Sequence, residues 1–257
     1  NKSADRDEVV ISSETFDLLE TALKLCRETG RSFDLTVQSF DYLWDFRRRP
    51  PVRPLQDEVK ARLALSGCSK LALKPNRGVR LLSPGVRVTL ADMLHGHALQ
   101  RAGDILRAEG VDNFRLRIGN DLYVQGRVGG TRHWYALVRH PAHPDKTVTQ
   151  LYLTSHAVAT RHINERFFFK GGKRYHDILD PRTGRPARGV ALVTIIGTDP
   201  VQVDAYSRAV FVMGVDKGLR FIEKTAATEG FIIDEKGRVH ASKGMSELAR
   251  LPPSIEL

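Results

Sequence analysis

The clearest chemical signal in the sequence is one short segment that combines carboxylate, hydroxyl, glycine and arginine. Residues 180–186 read D-P-R-T-G-R-P. Proline and glycine favour a rigid turn, and an arginine side chain can donate two parallel hydrogen bonds to phosphate oxygens. The segment therefore predicts either a phosphate-binding loop or an ordinary tight connection between strands.

A second candidate is Asp204, which lies on a predicted helix made mostly of apolar residues. A carboxylate in such surroundings needs a cationic partner, either an arginine or a metal ion. Arg208 follows four residues later and so shares a helix face with it. An Asp204–Arg208 ion pair and a metal site are both open at this point.

A third candidate is the turn at residues 119–121, G-N-D, between two segments of alternating apolar and polar residues. Gly119 and the asparagine allow a left-handed turn, which can bring the backbone close to a ligand. A plain hairpin turn explains the pattern equally well.

Cys26 and Cys68 lie 42 positions apart and do not have the spacing of a metal site. The helical pattern around Cys26 favours a buried apolar role, and both cysteines are expected on helices. A disulfide between them stays open, because its geometry cannot be judged from sequence.

Composition restricts the possible partners. The formal net charge is +10 and the pI about 9.8, which favours anionic ligands. The sequence lacks G-x-G-x-x-G, Walker, G-x-S-x-G and C-x-x-C motifs. It also lacks the interleaved aromatic and basic residues of a single-strand platform, so we expect no nucleic-acid partner. No apolar run is long enough to cross a bilayer, and no signal peptide opens the chain.

The elements that must position these residues are helices and strands without strict β-α-β alternation. The pattern predicts helices from just after Ser13 to before Gly30 and near 91–108, 199–213 and 216–226, and a central strand buried on both faces at 190–196. The glycines at 171 and 172 predict a hairpin turn. We expect an α+β fold of mostly antiparallel sheets packed with helices, as one domain of 257 residues, possibly divided into two intimate subdomains.

Several segments, in the same order, resemble the motifs of the ApbE family. Residues 33–37, F-D-L-T-V, and the L-W at 43–44 are similar to its F-D-P-T-V and L-W. Residues 157–160, A-V-A-T, resemble its A-V-A-T-S-G-D-Y, and the D-P-R-T-G-R-P string matches outright. The helix carrying Asp204 resembles the family's A-D-A-L-A-T segment.

The resemblance implies an ApbE-like, T-fold-like architecture and the activity of an FAD:protein FMN transferase. Such an enzyme cleaves FAD with Mg²⁺ and transfers FMN to a threonine of an acceptor flavoprotein, in the periplasm or on the outer face of the inner membrane. The residues that the resemblance and the motifs make candidates are, for catalysis, Asp177 and His176, for the flavin nucleotide Asp121, Gly119, Thr160, His95, Asp180, Arg182 and Thr183, and for the metal Asp204.

Some family positions are altered. Arg208 stands where the family has a metal-binding threonine, and a guanidinium cannot ligate Mg²⁺, so an Asp204–Arg208 pair without tightly bound metal is predicted. Asp177 replaces the family's histidine, and His176, one position earlier, should point to the opposite face of its strand. Residues 161–164 replace a small turn with bulkier side chains. An altered homologue that serves as a flavin-binding or protein-interaction module is the alternative to an active transferase.

Overall fold

The computed structural model describes residues 1–2, 7–40, 43–47 and 50–257. The α-helices of this part of the chain are α1 (Ser13–Glu28), α2 (Gln56–Leu63), α3 (Leu94–Ala108), α4 (Pro200–Met213), α5 (Val215–Lys224) and α6 (Met245–Leu248). Its strands are β1 (Val9–Val10), β2 (Leu71–Lys74), β3 (Gly78–Leu81), β4 (Phe114–Ile118), β5 (Asp121–Gln125), β6 (Trp134–Arg139), β7 (Thr147–Leu153), β8 (Ala157–His162), β9 (Phe167–Lys170), β10 (Lys173–His176), β11 (Leu179–Asp180), β12 (Arg185–Pro186), β13 (Val190–Gly197), β14 (Thr228–Asp234) and β15 (Val239–Ala241). Short 3-10 turns cover Leu35–Phe40, Cys68–Lys70, Pro75–Arg77 and Ala91–Met93.

The chain divides into two compact units, each built from two separate stretches. The second unit comprises Met93–Glu165 and Arg188–Leu257. Its main sheet has six strands in the order β15-β14-β13-β8-β5-β4, and all neighbours run antiparallel. Every residue of β13 is buried between β14 and β8, which confirms the predicted central strand.

Both faces of this sheet are covered. Helix α4 packs against β13 and β8, α3 packs against α4, the edge strand β4 and its neighbour β5, and α5 packs against β14. The hairpin of β6 and β7 contributes Leu151 and Leu153 to a buried cluster with Leu192 and Ile196 of β13. This arrangement confirms the expected α+β fold with mostly antiparallel sheet.

Helix α4 begins and ends at the residues that the sequence predicts. The side chain of Asp199 accepts hydrogen bonds from the backbone N–H groups of Val201 (2.8 Å) and Gln202 (3.1 Å). Pro200 occupies the first position of the helix, where its missing N–H costs nothing. Gly214 ends the helix with a φ of +79°, a conformation that favours glycine.

The first unit comprises Asn1–Asp92 and Arg166–Ala187. It contains a three-stranded antiparallel sheet, β1-β3-β2, the hairpins β9–β10 and β11–β12, and helices α1 and α2. Gly171 and Gly172 both have positive φ, +57° and +69°, at the turn between β9 and β10, which confirms the predicted hairpin. Phe40 and Trp44 form an aromatic cluster with Phe168 and Tyr175 of this hairpin.

Cys26 and Cys68 are joined by a disulfide bond. The sequence favoured a buried apolar role for Cys26 and left the disulfide open. Cys26 is fully buried on α1, as expected, but it also carries this cross-link. Cys68 begins a 3-10 turn rather than lying on an α-helix, which corrects the sequence prediction.

Within the described ranges, we find no helix that combines the length and the apolar character needed to span a membrane.

Candidate active site

In the second unit, a buried guanidinium joins two of the predicted site carboxylates. Arg161 lies on β8 with its side chain 7% exposed. Its Nη1 donates to Oδ1 of Asp121 (2.6 Å) and its Nη2 to Oδ2 of the same carboxylate (3.0 Å), a two-pronged pairing. Nη2 also donates to Oδ1 of Asp204 on α4. One arginine therefore binds both carboxylates.

The second oxygen of Asp204 binds the start of α3. Its Oδ2 accepts a hydrogen bond of 2.9 Å from the backbone N–H of Gly96, in the first turn of that helix. The N-cap residue Met93 supplies no side-chain acceptor, so the carboxylate of Asp204 satisfies one of the orphan N–H groups and meets the positive end of the helix dipole. Glycine is required at position 96, because a Cβ there would lie 2.2 Å from the carbonyl oxygen of Pro200.

Three further predicted residues lie beside this cluster. The Nδ1 of His95, a half-exposed side chain, is 2.9 Å from Oδ2 of Asp121. The carbonyl oxygen of Thr160 accepts from Nη1 of Arg161 (2.9 Å), and its hydroxyl lies 3.0 Å from that of Thr194. Gly119, φ +57°, forms the exposed turn between β4 and β5 immediately before Asp121. The second unit thus brings together all the candidates that it contains.

Burial and charge oppose each other in the cluster. Burial alone would lower the pKa of the Arg161 guanidinium, but the charges of Asp121 and Asp204 outweigh it and hold that pKa above its ordinary value. Burial raises the pKa of the Asp204 carboxyl to about 6, with a further contribution from the nearby Asp121 and in spite of the opposing charge of Arg161. Two carboxylates that share one guanidinium leave a negative charge in excess, so one of them is harder to ionise.

Asp204 forms an ion pair with Arg161, a partner that the sequence did not indicate. Arg208, the partner that the sequence predicts, also lowers the pKa of Asp204 through its charge. The sequence indicated a bulky turn at residue 161, whereas Arg161 belongs to β8. The available signal was the alternation along β8, which places Arg161 on the same face as Ala157 and Ala159, both buried, so that its charge requires a carboxylate.

In the first unit, the D-P-R-T-G-R-P segment forms a compact turn between β11 and β12. The backbone N–H groups of Thr183 and Gly184 donate to the carbonyl oxygen of Asp180. The guanidinium of Arg182 donates Nε and Nη2 to the two carboxylate oxygens of Asp180, at 2.9 and 3.0 Å. The segment is thus a tight connection, as one interpretation predicted, and a phosphate group would have to compete with Asp180 for Arg182.

Other family-like segments hold this turn in place. The Nε1 of Trp44 donates to the carbonyl oxygen of Gly184 (2.7 Å), and the hydroxyl of Ser66 donates to that of Pro181 (3.0 Å). Gly184 has a φ of +64°, and a Cβ there would lie 2.5 Å from the ring of Phe40. The L-W at 43–44 and the glycine at 184 therefore fix the position of the turn.

The two candidate catalytic residues occupy different environments in the first unit. His176 is buried, and its Nε2–H donates to the carbonyl oxygen of Ala187 (3.0 Å). Burial lowers the pKa of this imidazole to about 4, so the ring is neutral at pH 7. Asp177 is half-buried, with its Oδ2 4.0 Å from Nε of Arg166. Their catalytic roles remain predictions, and only Asp177 is partly open to solvent.

Comparisons with known proteins identify the chain's relatives. The ApbE family model matches residues 1–232. A Vibrio cholerae protein named FAD:protein FMN transferase is 26% identical over 227 residues, which cover 87% of this chain and 68% of the relative. A Klebsiella pneumoniae protein of the same name is 28% identical over 221 residues, which cover 85% of this chain and 68% of the relative.

Solved structures of the same kind have the same fold. The crystal structure of an ApbE protein from Thermotoga maritima superimposes with a TM-score of 0.89 at 32% identity, covering 95% of this chain and 80% of that one. The apo flavinyl transferase ApbE of Pseudomonas stutzeri, at 24% identity, gives a TM-score of 0.82 and covers 94% and 76% of the two chains. Since the family model matches most of its length, this chain belongs to the ApbE family.

Proposed function

We propose that this protein is an FAD:protein FMN transferase. The observation that carries the proposal is the match of the ApbE family over residues 1–232, together with relatives of that name along more than four fifths of the chain. The tight D-P-R-T-G turn and the carboxylate cluster around Asp204 lie on the elements that the family motifs specify.

The reaction is an exchange of oxygen atoms at one phosphorus. The hydroxyl oxygen of an acceptor threonine attacks the phosphorus on the FMN side of the pyrophosphate, and the bond from that phosphorus to the AMP oxygen breaks. AMP leaves with the electron pair, and the threonine proton passes to a base. Asp177 is the candidate base, because its carboxylate is partly exposed, whereas the ring of His176 is buried and bonded to Ala187.

Magnesium, which the resemblance implies, does not fit the carboxylates of the second unit as they stand. Both oxygens of Asp204 already accept hydrogen bonds, one from Arg161 and one from Gly96. In the ranges that the structure describes, one group of His, Cys, Asp or Glu side chains has its ligand atoms close enough to share a metal, and it consists of Cys26, Asp34 and Cys68. Both sulfurs of this group belong to the disulfide. We therefore assign no step to a metal bound by Asp204.

The periplasm or the outer face of the inner membrane is the proposed location, with an acceptor flavoprotein as partner. The Cys26–Cys68 disulfide supports this location, because disulfides persist in oxidising compartments and are rare in the cytosol. The location is tested by trapping free thiols in the periplasmic and cytosolic fractions of cells. We expect the protein in the periplasmic fraction, with Cys26 and Cys68 joined and not available to the trapping reagent.

The activity is tested by incubating the protein with FAD in the absence of acceptor, where water takes the place of the threonine hydroxyl as the attacking oxygen, and measuring FMN and AMP by chromatography. We expect both products, and a loss of about 10²- to 10⁴-fold in rate for Asp177→Asn, because general-base catalysis contributes roughly that much. The exposed Asp145→Asn is the matched control and should leave the rate unchanged. A protein that keeps the yellow colour of bound flavin but releases neither product would refute the transferase proposal.

A further inference from the structure

The carboxylate cluster of the second unit already contains a cation that belongs to the chain. Arg161 lies between Asp121 and Asp204, and its Nη1 and Nη2 make four hydrogen bonds to their oxygens and to the carbonyl of Thr160. Both carboxylates are buried, each 1% exposed. A buried carboxylate pair of this kind requires a positive charge, whether from a metal ion or from a side chain.

The geometry suits a guanidinium and not a small divalent ion. Mg²⁺ requires oxygens at roughly 2.0–2.1 Å in octahedral arrangement. The nitrogens of Arg161 hold the two oxygens of Asp121 at 2.6 and 3.0 Å in a planar fork, and the remaining oxygen of Asp204 is directed to the N–H of Gly96. A metal ion would have to displace the buried guanidinium from both carboxylates, which leaves a buried charge without its partners and is energetically unfavourable.

We propose that Arg161 replaces a divalent cation at the Asp121–Asp204 pair, so that a permanent internal charge offsets part of the negative charge of this pair and the pair takes no metal. The N-terminus of α3 supplies further positive potential to the carboxylate of Asp204. Metal binding by the protein tests this replacement directly. Its consequence for catalysis rests on the proposed transferase function.

The test is a titration with Mn²⁺, which replaces Mg²⁺ at oxygen sites and whose free form is measured by electron paramagnetic resonance. We expect no specific binding to the wild type. Arg161→Ser, which removes the cation and leaves the two carboxylates, should bind Mn²⁺ more than about tenfold tighter than the wild type. The control Arg115→Ser removes an exposed arginine from β4 of the same unit and should behave as the wild type.

Arg161→Gln provides a second variant that is neutral yet keeps amide donors, in case the serine variant does not fold. It too should gain Mn²⁺ binding, because the charge is what excludes the metal. Specific binding of Mn²⁺ by the wild type, abolished in Asp204→Asn, would overturn the proposal. A folded Arg161 variant that still binds no Mn²⁺ would overturn it equally.

A separate measurement of product release tests whether catalysis proceeds without a metal ion. If the proposed function holds, release of FMN and AMP by the wild type continues in excess EDTA, and an activity restored only by Mg²⁺ counts against the replacement of the metal by Arg161. If the wild type releases no product under any condition, the transferase function fails, while the Mn²⁺ titration still decides the role of Arg161.

Discussion

Removal of the Cys26–Cys68 disulfide should lower the stability of the first unit by an amount that follows from its loop length. The bond closes a loop with a sequence separation of 42 residues. A cross-link of this length removes roughly 13 cal/mol/K of entropy from the unfolded chain, or about 4 kcal/mol at 25 °C. For a chain of this size, that corresponds to a fall of about 10 °C in the unfolding midpoint.

The assay can report the first unit by itself. The sequence contains two tryptophans, and Trp44 lies in the same unit as the disulfide, whereas Trp134 belongs to the second. In a Trp134→Phe background, the fluorescence of Trp44 follows thermal or urea unfolding with and without dithiothreitol. Cys26→Ala/Cys68→Ala is the control, because its midpoint should be low and insensitive to the reductant.

A reduced protein that carries two free cysteines by thiol titration, yet has a free energy of unfolding within about 1 kcal/mol of the oxidised form, would refute the predicted stabilisation by the disulfide. A larger loss than predicted would have a different meaning. Next to Cys68, the backbone N–H of Gly67 donates to the hydroxyl of Thr36 (2.6 Å), and the hydroxyl of Ser66 binds the carbonyl of Pro181. A loss of stability larger than about 4 kcal/mol would show that the cross-link also maintains these contacts.

Three further outcomes are expected. Acidification from pH 7 to pH 4 should lower the free energy of unfolding by roughly 3 kcal/mol through His176, whose pKa is about 4 in the folded state and about 6.5 in the unfolded state. The unfolded state takes up the proton first, so the stability that is present above pH 6.5 is lost as the pH falls. In urea unfolding, the free energy of the wild type should therefore fall more steeply with pH than that of His176→Gln. Gly96→Ala should destabilise the second unit by about 1–3 kcal/mol in urea unfolding, because the added Cβ would meet the carbonyl of Pro200. An unchanged midpoint would contradict the close crossing of α3 and α4. Trp44→Phe should cost about 1–3 kcal/mol, because the buried carbonyl of Gly184 loses its donor, and this loss should appear in circular dichroism melting of the first unit.

The sequence predicts those features that are encoded by near neighbours along the chain. The cap at Asp199, the proline at the first position of α4 and the glycine at its end lie within one helix, and the continuous apolar run predicts β13 directly. The paired positive-φ glycines at 171 and 172 likewise determine their own turn. Each of these predictions needs only local backbone preferences and the period of the apolar residues.

Features that join distant positions were missed or left open. Arg161 contacts Asp121 and Asp204 across 40 and 43 residues, and the cysteines are 42 apart. Such contacts depend on which strands neighbour each other and on the crossing of helices, and neither is readable from local pattern. The Asp204–Arg208 prediction shows the difference, because helical spacing supplied a partner nearby while the sheet supplied Arg161 from β8.

The interleaved architecture has a consequence for the order of events during synthesis. The ribosome releases residues 1–92 first, but the aromatic cluster around Trp44 is completed by Phe168 and Tyr175, which emerge only after a large part of the second unit. Helix α1 requires none of these later residues, whereas the Cys26–Cys68 cross-link forms in an oxidising compartment, after synthesis. We therefore expect the nascent first unit to form an early, partly folded state, with its aromatic residues exposed to chaperones until residue 187 has left the exit tunnel.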